Sequence, residues 1–107
     1  MIEIKIKPLS VNKCWQGRRF KTPEYGVYET ELIYKLPNKV IYPGKLALYL
    51  KIGFSSKASD LDNSIKPILD ILQKKYGFDD KRIYKIEASK QDVKKGEEFI
   101  KFEIENL

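Results

Sequence analysis

The chain has 107 residues, a net charge of +6, 42% apolar residues, and seven tyrosines, five phenylalanines and one tryptophan. This length suits a single domain spanning 1–107 that buries roughly two-thirds of its unfolded surface, and the composition excludes a disordered chain. The lone Cys14 excludes an internal disulfide and a thiolate zinc site, and the lack of histidine removes Ser-His-Asp and Cys-His triads, histidine-bound zinc and a histidine general base.

Hydrolytic chemistry here must therefore rest on carboxylates and lysine, with or without a hard metal ion. No leader and no long apolar run is evident, so the expectation is a soluble protein of the reducing cytoplasm, not associated with a membrane. The charge is uneven. Residues 1–57 carry 11 Lys/Arg against 4 Asp/Glu, and residues 58–107 carry 10 against 11. A basic first half beside an acidic cluster suits a polyanion held over bound cations, and it equally describes a lysine-rich soluble surface.

In chain order, Ile2, Ile4 and Ile6 alternate with Glu3, Lys5 and Lys7, which predicts a half-buried strand ended by Pro8. A long irregular stretch, 10–21, then holds Asn12, Lys13, Trp15, Arg18, Arg19, Phe20 and Lys21. Cations interleaved with aromatic rings suit phosphate contacts and stacking on exposed bases; the alternative is that Trp15 and Phe20 pin the loop to the core. Thr22-Pro23-Glu24 is a helix start, with Tyr25, Tyr28, Leu32 and Leu36 as the buried stripe and Pro37 as the stop. Leu46, Leu48, Leu50, Ile52 and Phe54 alternate over the clearest strand, long enough to be central.

That strand leads into Asp60-Leu61-Asp62-Asn63. Ile65, Ile68, Leu69, Leu72 and Tyr76 follow at helical spacing, with Gly77 as the stop. Pro67 cannot donate to the Asn63 carbonyl, so either the helix starts late, near Ser64, or its first turn is distorted. Tyr84, Ile86 and Ala88 predict a strand, 94–97 a turn, and Ile100, Phe102 and Ile104 the last strand. The order βαβαββ predicts an α+β (α/β) fold, a mixed four-stranded sheet packed with two helices, with the closing pair as an antiparallel hairpin.

The chemistry concentrates around Asp60. Asp62, Lys66 and Asp70 share one helix face at i, i+4, i+8, and Asp79-Asp80 follows the helix. Grouped carboxylates without histidine are ligands for Mg²⁺ or Mn²⁺, and two such ions about 3.5–4 Å apart can clamp both oxygens of a phosphodiester displacement. The competing reading is a salt-bridge cluster, with Lys66 paired to Asp62 or Asp70 for a few tenths of a kcal/mol.

Asp60-Leu61-Asp62-Asn63 with Lys66 and Asp70, followed by Gly77-Phe78-Asp79-Asp80, resembles the RusA family of Holliday junction resolvases. Pro8, Ser10 and Asn12, and Gly17-Arg18-Arg19 through to Tyr25, are similar to that family's opening loop and first helix. The resemblance spans about Pro8 to Asp80; the acidic block is its specific part. It implies a homodimeric, Mg²⁺-dependent endonuclease, with Mn²⁺ as a substitute, that cuts four-way DNA junctions symmetrically in recombination and repair. By motif position Asp60, Asp62 and Asp80 would be the essential carboxylates and metal ligands, and Lys66 the essential lysine. Asp79 and Asp70 match family positions without a fixed role. The loop before Asp79-Asp80 is shorter than the family pattern, so both remain alternatives for the metal-facing acid, with Asp80 preferred. Asn12, Lys13, Trp15, Arg18, Arg19 and Lys21 form the expected DNA-binding set. The rival readings are a nucleic-acid-binding module with structural aspartates, and a metal nuclease acting on flaps or RNA.

Overall fold

A computed structural model describes residues 1–17 and 20–107. The main sheet joins β1 (Ile2–Lys5), β4 (Leu46–Phe54), β5 (Ile83–Asp92) and β6 (Phe99–Asn106) in the order β1-β6-β4-β5. The helices are α1 (Pro23–Lys35) and α2 (Leu61–Tyr76). The βαβαββ order and the mixed sheet with two helices are as the sequence predicts. The closing hairpin is not. β5 runs parallel to β4, while β6 inserts between β4 and β1 and is antiparallel to both. The turn 94–97 thus joins strands on opposite sides of β4, because the apolar alternation of β6 is satisfied only in the sheet interior.

Register sorts the side chains onto two faces. Leu48 and Ile104, Leu50 and Phe102, and Ile52 and Ile100 are cross-strand partners, and Ile4 sits opposite Ile100. These residues share one buried core with Tyr25, Tyr28 and Leu32 of α1 and Ile68, Ile71 and Leu72 of α2. Both helices therefore cover the same face, and the other carries charged pairs such as Lys101 with Glu3 at 3.3 Å and Lys85 with Glu87 at 3.5 Å. Gly53 lies on this open face opposite Phe99, whose ring would stand 2.5 Å from any added Cβ. Only glycine leaves room for that buried ring in the strand that leads to the acidic block. β5 is the edge strand next to β4, and its Tyr84 and Ile86 remain exposed.

The stretch 10–21 is more regular than its sequence suggests. It holds a 3₁₀ turn, Val11–Lys13, and a two-strand ladder of β2 (Trp15–Gln16) with β3 (Phe20–Lys21). Thr22 closes it. Its hydroxyl accepts from the Tyr25 N–H at 3.2 Å as the N-cap of α1, and its own N–H donates to the Cys14 carbonyl at 2.9 Å. Helix α2 starts at Leu61, not near Ser64, and runs through Pro67, whose ring is fully buried. Apolar burial of the ring offsets the missing donor to the Asn63 carbonyl. Gly77, at φ 71°, ends the helix and donates to the Gln73 carbonyl at 2.8 Å. No helix among the described residues is long and apolar enough to cross a membrane.

Glu29 ties three elements together: it takes Lys21 of β3 at 3.1 Å and Lys74 of α2 at 3.0 Å. Burial pushes its carboxyl up, but hydrogen bonds from Lys74 and Lys21 outweigh burial and hold it below the usual range. A depressed carboxyl contributes stability above its unfolded value and loses it as pH falls through the folded value. Glu29→Gln should therefore lower the unfolding free energy at pH 7 by about 1 kcal/mol, allowing for solvent around both lysines. Urea unfolding should show that difference shrink as pH falls below the ordinary glutamate range and the Glu29 carboxyl takes up its proton.

Candidate functional site

The buried stripe of α2 sets what the opposite stripe presents. With Ile68, Ile71 and Leu72 facing the sheet, Asp62, Lys66, Asp70 and Gln73 form an outward line at i, i+4, i+8 and i+11. Lys66 turns to Asp70, at 2.8 Å, and not to Asp62. That hydrogen bond holds the Lys66 ammonium above its ordinary range, helped by the charges of Asp70 and Asp80 and opposed by burial. Asp80 thus lies within electrostatic reach of Lys66, although ten residues of helix and a loop separate them in the chain. Asp70 also projects its charge inward. Burial pushes the Cys14 thiol up to about 11 and the Tyr25 phenol up beyond its usual range, and Asp70 adds to both.

Asp79 and Asp80 divide their roles. Asp79 is the N-cap of a 3₁₀ turn, Asp80–Arg82, and accepts from the Lys81 N–H at 3.0 Å. The Lys81 bond holds the Asp79 carboxyl below its usual value. The Asp80 N–H donates to Gln73 Oε1 at 2.9 Å, which ties its backbone to the helix that carries Lys66. Asp60 is the N-cap residue of α2 but makes no capping bond; its Oδ2 accepts from Asn63 Nδ2 at 3.2 Å.

Asp60 opens onto a groove of about 450 Å³ between the segment 7–13 and the start of α2. Lys7, Asn12 and Lys13 line one wall, and Ser59, Asp60 and Asn63 the other. The groove brings Asn12 and Lys13 of the expected DNA-binding set to an expected catalytic acid. Trp15 sits apart from it, edge-on to Tyr25 at 5.7 Å and 41% exposed, half anchored and half presented. Phe20 is 73% exposed, so it does not pin the loop to the core. Lys21 is held by Glu29 and stands 5.4 Å from the Tyr25 ring. Arg18 and Arg19 lie outside the described residues.

The carboxylates fit a hard divalent ion by chemistry. Asp60, Asp62, Asp79 and Asp80 are all exposed oxygen donors, and none has an ion-pair partner among the described residues. No three acidic or thiol side chains converge on one point among the described residues. That pattern suits Mg²⁺, which is held by one or two carboxylates, with waters and substrate phosphate oxygens completing its shell. Sequence reasoning missed Gln73, Lys7 and Ser59. Gln73 was accessible in principle, seven residues beyond Lys66 on the same stripe; Lys7 and Ser59 meet only through the fold.

The sequence model of a family described as Endodeoxyribonuclease RusA matches residues 12–105. No curated protein compared with the chain matches it.

The division between the adjacent aspartates is open to a direct check. Asp79→Ala should lower the thermal midpoint by a few degrees, because the turn loses its cap. Asp80→Ala should leave it unchanged or slightly raised, because an exposed like charge beside Asp79 is removed. Calorimetry on the two variants measures both.

Proposed function

The chain belongs to the RusA family of endodeoxyribonucleases, and on that premise we propose that it is an Mg²⁺-dependent enzyme that resolves four-way DNA junctions by paired symmetric nicks. The observation that carries the reading is that the Asp80 N–H is tied at 2.9 Å to Gln73, on the helix stripe of Asp62, Lys66 and Asp70, next to exposed acids without cationic partners among the described residues. One or two of Asp60, Asp62 and Asp80 are proposed to hold the ion, with waters and phosphate oxygens completing its shell. When bound, such an ion lowers the pKa of an attacking water and neutralises charge on the phosphodiester.

The chain's own groups supply the rest. Asn12 and Lys13 fix a phosphate in the groove ahead of Asp60, as contacts that position the strand without reading its sequence. Lys66 is paired in the free protein. An incoming phosphate competes with Asp70 for its ammonium, placing a positive charge where negative charge develops. Two nicks in symmetry-related strands require two such sites, so the proposal includes a homodimer. The exposed face of α1 supports it, with Val27 and Tyr34 (88% exposed) flanking an apolar groove.

The experiment is cleavage of a fixed four-way junction by pure protein, mapped at nucleotide resolution. With Mg²⁺ the account expects symmetric nicks in opposing strands, and none with EDTA. Asp62→Asn and Asp80→Asn should each lower the rate about a thousandfold or more while junction affinity is kept. Retained activity in EDTA, or cleavage of linear duplex as fast as of the junction, would contradict it.

A further inference from the structure

We propose that Gln73 is a positioning residue that holds Asp80 in register with Lys66; this rests on the reading of Asp80 as a working carboxylate. The loop between α2 and the Asp80 turn is short, 77–79, and its Asp79 caps the turn at the Lys81 N–H without bonding the Asp80 N–H. Gln73 does so from the helix. Its Oε1 accepts the Asp80 N–H at 2.9 Å, and its Nε2 donates to the Leu69 carbonyl one turn back at 3.3 Å. With a donor at one end of the amide and an acceptor at the other, only one orientation satisfies both. The side chain is half-buried, and its backbone carbonyl takes the Gly77 N–H at 2.8 Å, so the same residue also ends the helix.

Asp79 cannot share this task, since its carboxylate is engaged with the Lys81 N–H. The N–H of Asp80 is one of the donors that the start of a helical turn leaves without an internal partner. Any acceptor would satisfy it. An acceptor rooted on the Lys66–Asp70 stripe does more, because the backbone of Asp80 then moves with the helix that carries the lysine. A neutral amide also meets that N–H without adding charge beside Asp79 and Asp80. A glutamate would accept the same bond but add a like charge and lose the donor to Leu69.

The test compares Gln73→Met, which keeps length but has no oxygen acceptor, with Gln73→Glu, which keeps one. Three quantities are measured: hydrogen exchange at the Asp80 amide, junction affinity, and single-turnover cleavage with Mg²⁺. In Gln73→Met the Asp80 amide should exchange about tenfold faster or more. Cleavage should fall about 10- to 100-fold with affinity unchanged, the signature of a misplaced group and not of lost binding. Gln73→Glu should recover slow exchange and cleave severalfold faster than Gln73→Met. Wild-type exchange and rate in Gln73→Met would overturn the proposal. So would a lost rate without faster exchange at Asp80, or Gln73→Glu behaving no better than Gln73→Met. If the wild-type protein cuts no junction, the proposed function fails, and the exchange arm still decides whether Gln73 holds Asp80.

Discussion

The rotation of α2 about its own axis is the constraint from which the site follows. Ile68, Ile71 and Leu72 lie in the core shared with β4 and β6, together with the ring of Pro67. At about 0.8 kcal/mol per buried methylene, turning that stripe away from the sheet would cost far more than any surface ion pair could return. Burial thus dictates that Asp62, Lys66, Asp70 and Gln73 point outward along one line. β4 adds the second constraint. It is buried on both faces near its end, where Gly53 admits Phe99, and so delivers the chain to Asp60 at a fixed place.

Electrostatics then sorts the acids. Asp70 is satisfied by Lys66 and Asp79 by the Lys81 N–H, so both have local tasks. Asp60, Asp62 and Asp80 have no cation within ion-pair distance among the described residues, in a chain with 21 Lys and Arg. Exposed carboxylates left without a cation are the groups the proposed function gives to an external divalent ion, with phosphodiester oxygens to complete its shell. The groove wall of Lys7, Asn12 and Lys13 faces Asp60 with groups suited to phosphate.

Much of this was legible in the sequence because it is local. The Thr22-Pro23 start of α1, the alternation of β4, the stripe of α2 and the Gly77 stop each depend on neighbours a few residues away. What was not legible depends on chain return. β6 chose β4 and β1 over β5 because its apolar face needed the sheet interior, a decision made across about fifty residues to β4 and nearly a hundred to β1. Four residues of ladder between Trp15 and Lys21 are too few to show a period. Pro67 left open a late helix start near Ser64 or a distorted first turn, and the helix starts at Leu61 with the proline ring buried. At the site, the acids and Lys66 were readable as a motif. The choice of Asp70 as partner of Lys66, the capping task of Asp79 and the hold of Gln73 on Asp80 required the geometry.

The central proposal is that a divalent cation is held by one or two of Asp60, Asp62 and Asp80. Titration of the isotope-labelled protein with Mn²⁺, followed by paramagnetic broadening of its amide resonances, tests it most directly. The account predicts that resonances of 60–63 and of Asp80 broaden first, that Asp92, Glu103 and Glu105 on the sheet follow only at much higher metal, and that excess Mg²⁺ reverses the effect. Broadening that begins at the sheet acids, or spreads evenly over every exposed carboxylate, would contradict it.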